Sequence, residues 1–218
     1  MSPDMAGKGV KCFLFWGMGE KRKKILHFIR LWGIIQTLNR NEAQIMKRKI
    51  HSLTETAIML ALLVILQAVT KSASQLVTGS CVNAVLAVSV LMSGFSSGLT
   101  VALVSPFAAF LLGIGPQLLP IVPAIALGNG IYVLLLNLLV GKKAGMMGKA
   151  FGLGASAIAK ALALYLVVVK LLCSILPLKQ PQIDKFSTMF AWPQLITALV
   201  GGAIALMIVP VIRKALHR

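Results

Sequence analysis

The sequence predicts an all-α protein, a polytopic membrane bundle of six transmembrane helices with both termini cytoplasmic. Three observations predict it. The seventy residues from Ser72 to Gly141 contain no Asp, Glu, Lys, Arg or His. Mean hydropathy is +0.89 and 58% of the residues are hydrophobic, more than a folded domain in water tolerates. Among the 22 Lys and Arg, which face only five acids, those after residue 45 fall mostly at the ends of apolar runs. A hydrocarbon core about 30 Å thick takes about 20 helical residues per crossing, so the uncharged stretch holds about three crossings. Gly, Ser and Pro at 93–98 and 113–117 supply the very short turns between them.

Residues 1–45 differ in character from the rest of the chain. They are rich in Gly, Lys and Arg, and after Lys21-Arg22-Lys23-Lys24 apolar residues recur at helical spacing. This reads as a basic N-terminal extension, disordered or forming an amphipathic helix on the membrane surface. Met46-Lys47-Arg48-Lys49 opens the transmembrane domain, residues 46–218, and looks like a natural chain start. Cys12–Trp16 is too short an apolar run for a cleavable signal.

The first span is expected over 53–69, with Ser52 or Thr54 capping it and Glu55 in the first turn, where the helix dipole favours a carboxylate. Ala57 and Ala61, four residues apart, give that helix a small-residue face that permits close approach. The polar stretch 70–80 reads as a loop. The second span comes next over 81–92, the third over 99–112 with Pro106, and the fourth over 118–140 with Gly128-Asn129-Gly130. After the basic loop 141–149 comes the fifth span, 150–176, which carries Lys160 and Lys170. The segment 177–193 reads as the longest loop between spans, and 194–212 as the sixth span, stopped by Arg213-Lys214.

Charge asymmetry orients the bundle. Arg40, Lys47, Arg48, Lys49, Lys142, Lys143, Lys149, Arg213, Lys214 and Arg218 fall on one side, and Lys71, Lys179 and Lys185 on the other. Basic residues mark the cytoplasmic side, so the loops at 70–80 and 177–193 face outward in a cell membrane. The net charge of +17 is thereby assigned to membrane edges and not to nucleic acid.

Catalytic chemistry is not readable in the chain. His27, His51 and His217 all lie outside the predicted spans, so no intramembrane serine has a base. No spacing suggests metal ligands, and the three cysteines form no CxxC. Without a GxxxxGK[ST] loop the chain does not hydrolyse ATP, and uphill transport needs a partner that does. The reading is a non-enzyme without cofactor or metal.

Polar residues inside spans are expensive and therefore face the bundle interior. Lys160 falls near the bilayer centre and Lys170 in the outer half; ten residues on a helix differ by about 80° of rotation, so both can border one cavity. Asn129 and Tyr132, three residues apart, are neighbours on span four. These four are expected to line an outward-opening pocket for a ligand with a negative or electron-rich group. Gln75, Thr78 and Asn83 from the first outer loop and second span, with Trp192 and Gln194 at the start of span six, are expected to complete the substrate-binding set. Trp192 also suits an interfacial anchor, and Lys170 can snorkel to the interface.

The six-span layout, Ala57-Ile-Met-Leu-Ala61 and the stretches 93–130 and 190–202 together resemble the S components of energy-coupling factor (ECF) transporters, over about residues 46–218. The resemblance implies a substrate-binding subunit that captures a vitamin or related micronutrient from outside. It implies as partners a transmembrane coupling subunit and two cytoplasmic ATPase subunits that drive uptake, and it places Ala57 and Ala61 at the docking face for the coupling subunit. Two other classes suit a small basic helical membrane protein: a scaffold of the shape-determining type and an autonomous facilitator.

Overall fold

The computed structural model describes residues 36–38, 42, 44–140 and 145–216. The 21–35 amphipathic segment, Arg40, Lys142, Lys143, His27, His217 and Arg218 lie outside the described residues. Contacts divide the chain into Met1–His51 and Ser52–Arg218. The second unit holds the bundle and its cavities.

Every regular element among the described residues is helical. Helix α1 is Gln44–Thr70, α2 Gln75–Ser93, α3 Phe95–Leu111 and α4 Ile121–Leu139. Helix α5 spans Met146–Ile175, α6 is Gln180–Met189 and α7 Trp192–Ala215. All but α3 and α6 contain a stretch long and apolar enough to cross a membrane, and α3 is an apolar helix only slightly shorter. This is the expected polytopic helical bundle. A helix is what such a sequence must form in lipid, because each backbone N–H and C=O finds its partner within the segment.

The turns are tighter than the sequence suggests. Between α2 and α3 the chain reverses on Gly94 alone, whose φ of +93° only glycine adopts without strain. The 70–80 segment is not a loop: a turn at 71–74 leads straight into α2, so Gln75 and Thr78 stand on its first turns. Helix α4 runs unbroken through Gly128-Asn129-Gly130. The outer segment 177–193 also folds, as α6. Pro181 lies in its first turn, Gln182 accepts a hydrogen bond from the Lys179 N–H at 3.2 Å, and Phe186 is buried. That return of the Gln182 side chain to the Lys179 N–H is a helix-start signal that the segment's prolines obscure.

Packing depends on close approach. Helices α2 and α7 cross at Gly201, where a Cβ would meet the Ser80 carbonyl oxygen at 2.5 Å and the Ala84 nitrogen at 2.7 Å. Only a residue without a side chain lets the two backbones pass so near. One buried cluster joins Leu86, Val101, Val133, Leu136, Ala198 and Ala205 in the middle of the bundle. A second joins Ile121 and Ala124 of α4, Leu164 and Val168 of α5, and Phe186 and Phe190 beneath α6. Two buried hydroxyls are satisfied by their own helices: Ser89 donates to the Val85 carbonyl at 2.8 Å and Ser156 to that of Gly152 at 2.6 Å.

Within α5, residues Tyr165–Leu172 form π-helical turns. Wider turns advance less rotation per residue than α-helical ones. The expected 80° between Lys160 and Lys170 therefore does not hold: Lys160 is buried and Lys170 is exposed.

Candidate functional site

At one end of the bundle the helices part around a cavity of about 390 Å³, within the range of small-molecule sites. Its wall comes from the end of α1 (Gln67) and the turn after it (Lys71), the first half of α2 (Gln75, Thr78, Asn83), the end of α3 (Ser105, Phe110) and the first half of α4 (Val122, Ile125, Asn129). Lys160 of α5, Phe190 after α6 and Gln194 of α7 close it. No acidic residue lines it among the described residues.

Lys160 is its electrostatic centre. Only 2% exposed, its Nζ donates to the Asn83 Oδ1 at 2.5 Å and to the Asn129 Oδ1 at 2.7 Å. The Tyr132 ring stands beneath it, with the centroid 5.2 Å from Nζ. The amine is thus held by amide dipoles and a π-face, with no carboxylate partner among the described residues. Asn83 is held in turn, its Nδ2 donating to the Thr197 Oγ1 at 3.2 Å. The Thr197 hydroxyl in turn donates to the Gln194 carbonyl, also at 3.2 Å. The chain of bonds fixes which face of the Asn83 amide meets the lysine.

The sequence-derived residues divide. Gln75, Thr78, Asn83, Asn129, Lys160 and Gln194 come together around the cavity, with Gln75 also donating to the Met189 carbonyl at 3.0 Å. Tyr132, Lys170 and Trp192 do not line it. Tyr132 is fully buried behind Lys160 and donates to the Ala198 carbonyl at 2.9 Å. Lys170 is carried outward by the π-helical turns, its Nζ 5.9 Å from the centroid of the Tyr165 ring. Trp192 is 75% exposed at the start of α7. Ala57 and Ala61 lie along α1, whose buried positions are Thr56, Leu63 and Gln67; Ala61 is exposed and Ala57 faces neither the cavity nor the core cluster.

Sequence reading missed Gln67 and Ser105. Both are cavity-lining and buried, 6% and 1% exposed, and the Gln67 Oε1 and Ser105 Oγ find no hydrogen-bond partner among the described residues. A signal for the first was present: Gln67 is the one polar side chain between Ala57 and Val69, and such a residue turns inward. A second cavity, about 410 Å³, opens where α2, α4 and α7 end and α5 begins, bordered by Lys149 and Arg213. There Arg213 donates to the Leu91 carbonyl at 2.5 Å.

A bundle of apolar helices around a buried lysine defines a multi-pass membrane protein with an internal cavity of small-molecule size. The family model described as ECF transporter, substrate-specific component, matches residues 51–213, and the chain belongs to that family. It is a substrate-specific component of an ECF transporter. No curated protein and no solved structure matches the chain.

Proposed function

We propose that this chain captures a vitamin-like micronutrient in the cavity around Lys160 and delivers it for ATP-driven uptake. A transmembrane coupling subunit and two cytoplasmic ATPase subunits supply the drive. The observation that carries this reading is Lys160 itself: a buried amine whose side-chain acceptors are two neutral amides, on a cavity wall without a carboxylate among the described residues. A carboxylate or electron-rich carbonyl of a ligand supplies a further acceptor. Gln75, Thr78, Asn83, Asn129 and Gln194 orient the ligand, and Tyr132 supports the lysine from behind. Trp192 and Lys170 serve at the membrane interface outside the pocket.

The charge distribution supports an outward opening. Lys71, Lys179 and Lys185 belong to the cavity end, whereas Lys149, Arg213 and Lys214 belong to the other, and basic residues favour the cytoplasm. Ala57 and Ala61 offer the coupling subunit a smooth strip of α1. Residues 1–45 precede the transporting domain and are dispensable to it.

The test is to purify the protein from cells grown in rich medium and identify retained small molecules by mass spectrometry, alongside Lys160→Met. A compound with an anionic or carbonyl-rich group, retained by the parent and lost by the variant, is expected. Equal retention by the variant, or a purely apolar compound, overturns the reading. A scaffold retains nothing, and a facilitator passes solute without nucleotide.

A further inference from the structure

We propose that the cavity selects a ligand with two complementary hydrogen-bonding groups: an acceptor for Lys160, and a neutral N–H or O–H donor for Gln67, with the Ser105 hydroxyl a further unpaired group on the same wall. The inference rests on the cavity being the ligand site and adds what that site discriminates.

Two polar atoms are left over by the fold. The buried hydroxyls of Ser89 and Ser156 donate to the carbonyl four residues back. Ser105 is equally buried and forms no such bond. It precedes Pro106, which also lines the cavity and has no N–H to give to the helix ladder. Gln67 repeats the pattern on α1. Its Oε1 has no partner among the described residues, although α1 could have carried Leu there at no cost in lipid. A buried acceptor left unpaired is costly, so such groups in native proteins belong to something that pairs with them.

The oxygen of Gln67 is acceptor-only, so its partner must donate. That donor is uncharged. A ligand ammonium would enter a wall carrying Lys160 and Lys71 and no carboxylate, and like charges at short range in a low-dielectric site repel strongly. The Lys160 end requires the reverse, an acceptor. Val82, Ala109, Val122 and Ile125 complete the wall and suit an apolar or flat body. The ligand class is therefore a neutral or monoanionic molecule that bears a carboxylate or carbonyl and also an N–H or hydroxyl. Cations are excluded, as are purely acceptor-bearing acids.

The experiment exposes purified protein in lipid nanodiscs to a whole-cell metabolite extract and resolves the retained compounds by mass spectrometry, for the parent, Gln67→Met, Ser105→Ala and Lys160→Met. Gln67→Met keeps length and removes the acceptor, and thermal unfolding of each variant confirms that it is folded. The expected result is a compound of the stated class whose retention weakens on the order of tenfold in Gln67→Met. Ser105→Ala is expected to weaken it less, and Lys160→Met to abolish it. A retained compound that is cationic, lacks an N–H or O–H donor, or is held equally by folded Gln67→Met overturns this inference and leaves the cavity's role standing. Retention of nothing, or of a compound indifferent to Lys160→Met, overturns the cavity as ligand site and this inference with it.

Discussion

The amide oxygen of Asn83 lies 2.5 Å from the ammonium of Lys160, a residue 77 positions further along the chain. With Asn129 on the other side at 2.7 Å, the lysine is solvated by the protein and not neutralised by it. The difference matters for stability. Asn129→Leu takes one acceptor from a buried charge and is expected to destabilise by about 1.5–3 kcal/mol. Adding Lys160→Met removes the charge that needed the acceptor, and the double variant should recover most of the loss. Thermal unfolding of the four proteins in one detergent closes the cycle, and additive losses would show that the two side chains do not act on each other.

The crossing of α2 and α7 is expected to tolerate no side chain at position 201. Gly201→Leu places carbon against backbone of α2 at 2.5–2.7 Å, which cannot yield as a flexible side chain does. Overpacking of this kind costs about 1–3 kcal/mol, and the rigid neighbours put this site at the upper end. Because Asn83 lies on that stretch of α2, retention of the substrate should fall together with the unfolding temperature.

Ala61→Trp separates binding from transport. Ala61 is exposed on α1 and touches none of the cavity wall, so ligand retention should equal that of the parent. Uptake in cells supplying the coupling subunit and ATPases should be lost, because bulk keeps the helices apart. Loss of retention and uptake together would assign Ala61 to folding.

A chain starting at Met46 should insert and retain ligand like the full-length protein. It also isolates Trp192, since the other two tryptophans, Trp16 and Trp32, precede position 46. Trp192 is 75% exposed and outside the cavity. Its emission should therefore stay unchanged when ligand binds and respond instead to quenchers placed in the lipid. Ligand-dependent quenching would bring the indole into the site.

The bundle was legible because lipid makes hydropathy almost sufficient: an uncharged run of such length admits few folds other than packed helices. Lys160, Asn83 and Asn129 were legible for the same reason, since a polar group in a span must turn inward. Lys170 was not, because its direction depends on π-helical turns at Tyr165–Leu172 that no spacing rule announces. The 177–193 stretch misled through its prolines, which here start a helix at Gln180. Ser105 escaped notice because a serine in a span ordinarily bonds its own helix. Only the packed bundle reveals that this one does not.

The order of the residues that hold Lys160 bears on how the protein is made. A lysine at the centre of a lone span resists insertion by about 2.5–3.5 kcal/mol. Asn83 belongs to α2 and Asn129 to α4, and both precede Lys160 in the chain. A ribosome that delivers the helices in sequence places the two amide oxygens in the bilayer before α5 emerges. The reluctant fifth helix thus enters beside groups able to accept its hydrogen bonds, and the chain lays down the acceptors before the cation they serve.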